Sequence, residues 1–169
     1  MSKRSAVVIA AVGVLAVGLV IFEPWAFFTN STVNEAAPTA PTSDAAEPDA
    51  SLPNPAGPTE LASGTFVSQE HETSGTAKIF ELPDGSRTLR LEDFSTTNGP
   101  DLHVWMSEKK AGGNWFKYGG GRKAQLGELK ANQGSHNYAI PADVELDGLN
   151  SVVIWCKRFH VAFGSAPLT

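Results

Sequence analysis

One sulfur atom is the first candidate for chemistry in this sequence. Cys156 is the only cysteine among 169 residues, so no disulfide can form within the chain. A single thiol is a packed core residue, a partner for another molecule, or a redox or metal-binding group. Lys157 and Arg158 follow it directly, but side chains alternate along a strand, so Lys157 is expected to point away. Sequence proximity therefore does not predict an activated thiolate at Cys156.

Histidines are the next candidates, as ligands of a metal or a haem. None of the four histidines has the close pairing or the Cys/His spacing of a zinc site. The chain also lacks a C-x-x-C-H motif, which excludes covalent c-type haem. Non-covalent haem is compatible with the composition but not required by it. Its axial ligands would come from Cys156, His71, His103, His160 and Met106.

Two aspartates bracket one predicted loop. Asp93 shares strand parity with Leu89 and Leu91 and is therefore predicted to point inward, while Asp101 begins the next strand. Two carboxylates in this arrangement suit a cation or an acid/base pair, although such aspartates more commonly cap backbone N–H groups. Asp93 and Asp101 are thus secondary site candidates.

The sequence carries no recognisable catalytic set. It has no G-x-S-x-G, no phosphate-binding glycine loop and no H-E-x-x-H motif, so a stand-alone enzyme is not indicated. The net charge of −5 comes mainly from acids before residue 61, and residues 61–169 are close to neutral. Nucleic-acid binders usually carry a basic stripe, and the isolated Lys/Arg pairs of this chain do not form one.

The sequence segments that carry these residues are predicted to be β-strands. Short turn signals separate runs with period-two alternation, as in Leu102, Val104 and Met106. Both parities of the last run are apolar, which predicts a central strand, with a bend or sheet exit at Lys157. This pattern predicts an all-β fold, an antiparallel β-sandwich or, alternatively, a partly open β-barrel. The predicted strands are 64–71, 75–82, 87–94, 101–107, 123–129, 135–140 and 151–163.

The first 28 residues are predicted to form a transmembrane anchor. Residues 6–22 contain no charge, and Trp25, Phe27 and Phe28 follow where an interfacial aromatic belt is expected. A cleaved signal peptide is the rival, but its apolar region is shorter and ends at small residues. Lys3 and Arg4 precede the span, so residues 5–28 are expected to cross the plasma membrane once, with a cytoplasmic N-terminus and residues 29–169 outside.

Residues 29–60 are predicted to be a disordered linker, and residues 61–169 the folded domain. The linker segment is acidic, rich in Pro, Ala and Thr, and without aromatic residues. Such a composition buries too little apolar surface to offset the entropy of ordering. The domain is therefore expected to reach a partner on a flexible tether.

The strand pattern resembles the DM-thirteen (DM13) domain family. The resemblance covers about residues 62–168, nearly the whole predicted domain. It rests on segments 64–66, 71–77, 89–94, 98–102, 126–130, 137–141, 152–159 and 163–168.

The resemblance implies an electron-transfer or redox module of exported proteins. It implies that Cys156 is the redox thiol, or ligates a prosthetic group such as haem with His71 as a second ligand. Asp93 and Asp101 lie on family motif positions.

The alternative function is a non-catalytic module that binds an envelope protein. Trp115, Phe116 and Tyr118 lie in a glycine-rich loop, where they would contact a sugar or protein or cover an edge of the core.

Overall fold

The computed structural model of the protein describes residues 29–38 and 57–169. They form a sandwich of two five-stranded sheets. The strands are β1 Thr32–Asn34, β2 Thr59–Thr65, β3 Val67–Ser68, β4 Thr73–Glu81, β5 Arg87–Thr96, β6 Leu102–Ser107, β7 Lys123–Glu128, β8 Gln133–Ile140, β9 Ser151–Cys156 and β10 Val161–Pro167.

Each sheet pairs strands that are distant in sequence. The first sheet has the order β1-β8-β5-β4-β2, and the second has the order β3-β10-β9-β6-β7. All pairs are antiparallel except β1 with β8, which is parallel. The chain passes from the first sheet to the second at Phe66, which lies between β2 and β3. The predicted strand 64–71 is therefore divided between the two sheets.

The period-two alternation places apolar side chains between the sheets. Leu89 and Leu91 of β5 are fully buried and face Val104, Met106 and their neighbours in one continuous core. The prediction of an all-β sandwich is confirmed, and among the described residues the sheets do not close into the alternative barrel. None of the described residues belongs to a helix long and apolar enough to cross a membrane. The predicted anchor, residues 1–28, lies outside the described residues.

The last predicted strand is a hairpin of two strands. β9 is the central strand of its sheet and is buried on both faces, as its two apolar parities predicted. Residues 157–160 then turn the chain, so that β10 returns beside β9 with Val161 opposite Cys156. His160 has a φ of 55° in this turn. The predicted interruption at Lys157 is thus the reversal of the chain.

Part of the predicted linker belongs to the sandwich. Thr32, Val33 and Asn34 pair with β8 from Gln133 to Ser135, so residues 29–38 form an edge segment that is called the strap below. The prediction of disorder was wrong for the strap, because the open edge of β8 offers backbone partners that composition does not reveal. Residues 39–56 lie outside the described residues.

A second aromatic cluster covers the outer face of the second sheet. The rings of Trp105 and Trp155 stack with centroids 5.0 Å apart. Tyr118, in the loop between β6 and β7, is fully buried against this pair and donates its hydroxyl to Ser165 Oγ at 3.0 Å. Tyr118 therefore covers the core, as one of the two interpretations of this loop predicted.

The sandwich has two ends with different loops. One end carries loops 69–72, 97–101, 129–132 and 157–160, and it is called the Cys156 end because β9 finishes there. The opposite end carries loops 82–86 and 141–150 and both ends of loop 108–122, and it is called the far end.

Candidate functional site

Cys156 lies just inside the Cys156 end, at the last position of β9. Its side chain is fully buried, and the thiol donates to the carbonyl oxygen of Pro100 at 3.2 Å. Burial raises the pKa of the Cys156 thiol, although backbone N–H groups of Phe159 and Arg158 also donate to the sulfur and act in the opposite direction. The protein thus holds a protonated thiol under ordinary conditions, and the sulfur lies among both donors and an acceptor.

The loop 97–101 brings Asp101 to the same place. Leu102 lies opposite Cys156 in the pairing of β6 with β9, and Asp101 O accepts a hydrogen bond from Lys157 N at 3.0 Å. Asp101 has a φ of 70°, a conformation that costs energy for any residue with a side chain. Two of the predicted site residues, Cys156 and Asp101, are therefore neighbours.

His103 completes this arrangement on the outer face of the sheet. Its Nε2 lies 2.7 Å from Asp101 Oδ1, and its side chain is nearly buried. His103 lies opposite Glu128 in the pairing of β6 with β7. Because neighbouring side chains alternate between the two faces of β6, His103 lies on the face opposite the core. It is paired with a carboxylate and is oriented by it.

His71 has partners of its own. Its Nε2 lies 2.6 Å from Glu70 Oε2, and its ring packs on Phe163 with a centroid distance of 3.9 Å. Phe163 in turn contacts the turn at Gly99, whose Cβ position would lie 2.7 Å from the ring. His71 therefore stands at the Cys156 end, but its imidazole is bound to Glu70 and packed on Phe163.

Asp93 differs from its prediction. It is exposed, with a φ of 48°, at an irregularity in the pairing of β5 with β8 between Leu91 and Phe94. The extra residue reverses the parity of the strand, so Phe94 takes the inward position and Asp93 the outward one. Among residues 29–38 and 57–169, no three His, Cys, Asp or Glu side chains form a metal-binding group.

The predicted axial ligands do not fit a haem. Cys156 is fully buried and hydrogen bonded to Pro100, and His71 is paired with Glu70. His160 lies in the exposed 157–160 turn, while Met106 is buried near the other end of β6. A cleft of about 340 Å³ opens beside Asp101, but it is lined mainly by polar residues, whereas cofactor pockets are mostly apolar. The described residues therefore offer no place for a haem between Cys156 and His71.

One buried histidine was not singled out from the sequence. His136 is fully buried, its Nε2 lies 3.0 Å from Gln133 O, and its Nδ1 has no hydrogen-bond partner within the described part of the chain. Burial lowers the pKa of His136, which keeps the imidazole neutral. Its parity with Tyr138 and Ile140 in β8 is the signal that could have predicted an inward histidine.

The fold and this end together define an all-β module with one buried, hydrogen-bonded thiol and no metal centre among the described residues. The family model described as electron transfer DM13 matches residues 65–168, which is more than half of the chain. The chain therefore belongs to the DM13 family, and the resemblance read from its motifs is confirmed. No curated protein and no solved structure matches the chain.

Proposed function

We propose that the chain is a membrane-tethered, extracytoplasmic electron-transfer module in which Cys156 is the redox group. The family description supports electron transfer. The basic start and the apolar residues 6–22 support the tether and its orientation. The predicted axial ligands do not fit a haem, so the redox change is assigned to the sulfur of Cys156 itself.

The surroundings of the sulfur carry this proposal. Cys156 packs in the apolar core, but its sulfur also has polar partners, because it donates to Pro100 O, and hydrogen bonds from the backbone of Phe159 and Arg158 lower its pKa against burial. The carbonyl stabilises the thiol, and the two amides stabilise an oxidised or deprotonated sulfur that carries negative charge. Both redox states of Cys156 therefore have hydrogen-bond partners at this position.

The chain has no second cysteine, which restricts the oxidised state. A peroxide can oxidise a lone thiol without a partner sulfur, and it is the oxidant class proposed here. The peroxide O–O bond breaks, one oxygen forms an S–O bond as sulfenic acid, and the other leaves as water with the thiol proton. The sulfur gives up two electrons, and a dithiol returns them as it forms its own disulfide and releases water.

The test uses the full chain in detergent or nanodiscs. Peroxide treatment should slowly add one oxygen to the intact mass, because the buried thiol reacts through local opening. Dimedone should trap this sulfenic acid at Cys156, and in a sample without dimedone a dithiol should remove the oxygen. Cys156→Ser should show none of these changes, and the protein should have no haem absorbance as purified or after haem addition. Absence of trapping at Cys156 in the folded protein, or a haem spectrum that Cys156→Ser abolishes, would contradict the proposal.

The proposed orientation has its own test. External protease should digest residues 29–169 in sealed cells, and carbonate extraction should leave the intact chain in the membrane. Protection from protease until the cells are lysed would show that the orientation is wrong.

A second role, as a binding module, is favoured by exposed aromatic side chains. Trp115 and Phe116 are 39% and 58% exposed, although each would bury a large apolar area in a core. This role requires no redox change at Cys156. Crosslinking in intact membranes through position 116 tests it, and recovery of no specific neighbour would count against an envelope protein as partner.

A further inference from the structure

The strap is hydrogen bonded to the domain from Thr29 to Ala36. Gln133 N donates to Ser31 O at 3.1 Å, and Glu35 N donates to Ser135 O at 2.8 Å. Side chains add to this pairing, since Lys130 Nζ lies 2.7 Å from Glu35 Oε1. The strap is therefore a strand of the sandwich, and residues 29–38 provide no free length between the domain and whatever precedes Thr29.

The direction of the strap places its beginning at the Cys156 end. β1 runs parallel to β8, and β8 starts at the Cys156 end next to loop 129–132. Ser31 N donates to Asn132 Oδ1 at 2.8 Å, and Thr29 Oγ1 lies 3.4 Å from Asn98 Nδ2. Both partners belong to loops of the Cys156 end, so Thr29 emerges there.

The proposed tether ends one residue before Thr29. The headgroup region adds roughly 5–8 Å on each side of a hydrocarbon core about 30 Å thick. If the span ends at residue 28, a domain that holds Thr29 in its own loops has to lie at the headgroups. Residues 39–56 add no reach, because they follow the strap in the chain.

The surface of the Cys156 end suits this position. Phe159, in the 157–160 turn, is 44% exposed and follows Lys157 and Arg158. Loop 108–122 starts at the far end but reaches toward the same region, because Trp115 O accepts a hydrogen bond from Ala162 N at the start of β10. The ring of Phe116 lies beside that of Trp115, with centroids 6.0 Å apart. Aromatic rings are enriched at membrane–water interfaces, and long basic side chains reach from there to the headgroups. The aromatic side chains that are most exposed among the described residues thus lie toward the end where Thr29 emerges.

We infer that the Cys156 end lies on the outer surface of the bilayer, with the strap fixing it there and Phe159, Trp115 and Phe116 entering the interface. The inference rests on the proposed membrane tether. The sequence predicted a domain on a long flexible tether, whereas this inference gives a domain that is held against the membrane. The thiol of Cys156 is then on the membrane side of the sandwich.

The test is a depth measurement on the full chain in nanodiscs of phosphatidylcholine and phosphatidylglycerol. A nitroxide is attached in a Cys156→Ser background, either at Phe159→Cys or, as the control at the far end, at Asp84→Cys. We expect the label at 159 to be severalfold less accessible to a water-soluble nickel reagent than the label at 84, and more accessible to oxygen. Glu35→Lys, which places a positive charge against Lys130, should move the label at 159 toward water. Glu145→Lys, the same charge change at an exposed far-end position, should not.

The outcomes separate the inference from the proposed tether. Equal nickel accessibility at 159 and 84 in a chain that resists carbonate extraction would overturn the inference and leave the tether intact. Reduced access to both reagents at 159 would indicate a protein contact and would also overturn it. Release of the chain by carbonate would contradict the tether, and the inference would fall with it. Circular dichroism of each labelled variant establishes that it is folded, and a Cys156→Ala background replaces Cys156→Ser if the serine variant is not.

Discussion

The Cys156 end and the 82–86 turn at the far end are formed by strands of the same sandwich, but different kinds of contact stabilise them. At the far end, the 82–86 turn is closed locally: Leu82 N donates to Ser86 O, and Asp84 accepts from Ser86 N, both at 2.8 Å. At the Cys156 end, the hydrogen bonds join loops far apart in sequence, and Asp101 has a positive φ. Strain of this kind persists only where the surroundings determine it, and it is concentrated at functional sites.

This difference shows why the candidate chemistry lies at one end. A turn that is closed by its own hydrogen bonds forms without contacts from the rest of the protein. Its side chains are therefore not brought together with those of distant segments. The loops of the Cys156 end place a buried thiol, the Asp101–His103 pair and the start of the strap together. Each part depends on the others, so changes at this end are expected to spread, while changes in the 82–86 turn are expected to remain local.

The largest expected effect is on the packing beneath the Cys156 end. Phe163 is almost fully buried and contacts both His71 and the Gly99 turn. Phe163→Ala should lower the free energy of unfolding by about 3–5 kcal/mol, through lost burial and the remaining cavity. Leu82→Ala at the far end should cost less, because Leu82 is only half-buried. Urea unfolding of both variants gives the comparison, and equal losses would contradict it.

The second effect concerns the reactivity of the thiol. Burial hides Cys156 and raises its pKa, so little thiolate is present at neutral pH. Iodoacetamide should modify it roughly 100-fold or more slowly than an exposed cysteine, because reaction requires local opening. The rate should keep rising with pH above the ordinary thiol value of 9.0.

Ser86→Cys at the far end, in a Cys156→Ala background, is the exposed reference. Mass spectrometry of timed samples gives both rates. Similar rates in the folded state would mean that the Cys156 end opens freely, which contradicts the tight contacts described for it.

A smaller change in the free energy of unfolding tests whether a turn at each end is energetically coupled to Phe163. Ala at position 99 would place its Cβ 2.7 Å from the Phe163 ring, so Gly99→Ala should cost about 1–3 kcal/mol. Phe163→Leu should relieve part of that cost, with a coupling energy of about 0.5–3 kcal/mol. Gly85→Ala, which meets no atom within 4 Å but has a φ of 80°, should be additive with Phe163→Leu. Additivity for Gly99 as well would remove the proposed difference between the ends.

The smallest effect is on the strap. A hydrogen bond from Lys130 is the main cause that lowers the pKa of Glu35, while burial acts against it. The carboxylate therefore contributes stability fully above its ordinary pKa of 4.5, and the contribution is lost as the pH falls through the lowered value in the folded protein. Glu35→Ala should weaken strap docking by about 0.5–1.5 kcal/mol at pH 7.

Amide exchange at Ser135 and Asn137 measures the docking of the strap. Exchange should accelerate at pH 7 in Glu35→Ala, and the difference from the unmodified chain should disappear in acid. Glu145→Ala, at an exposed position of the far end, should change neither amide. A difference that persists at low pH would mean that the carboxylate does not contribute as described.

Sequence patterns predicted the strands better than the site. Leu89 and Leu91 follow period two, which local sterics and burial impose, so β4 to β8 were predicted within a few residues. The start of β9 was predicted at Ser151, but its end was not. The prediction for Asp93 was wrong, because one extra residue in the pairing of β5 with β8 reversed its direction. Cys156 and Asp101 were both predicted site candidates, but nothing in their spacing showed that they are neighbours.

By itself, the sequence determined an all-β domain of the DM13 family with one unpaired sulfur, because alternation and motif order are written along the chain. Only the tertiary structure decided that this sulfur is buried beneath Pro100, 56 residues away in sequence, and that the strap is a strand. The physical reason is that Thr32–Asn34 has no strand pattern of its own and forms a strand only where β8 leaves an edge unpaired. The partners of Cys156 and of the strap belong to segments distant in sequence, and a local sequence pattern carries no information about which distant segments meet.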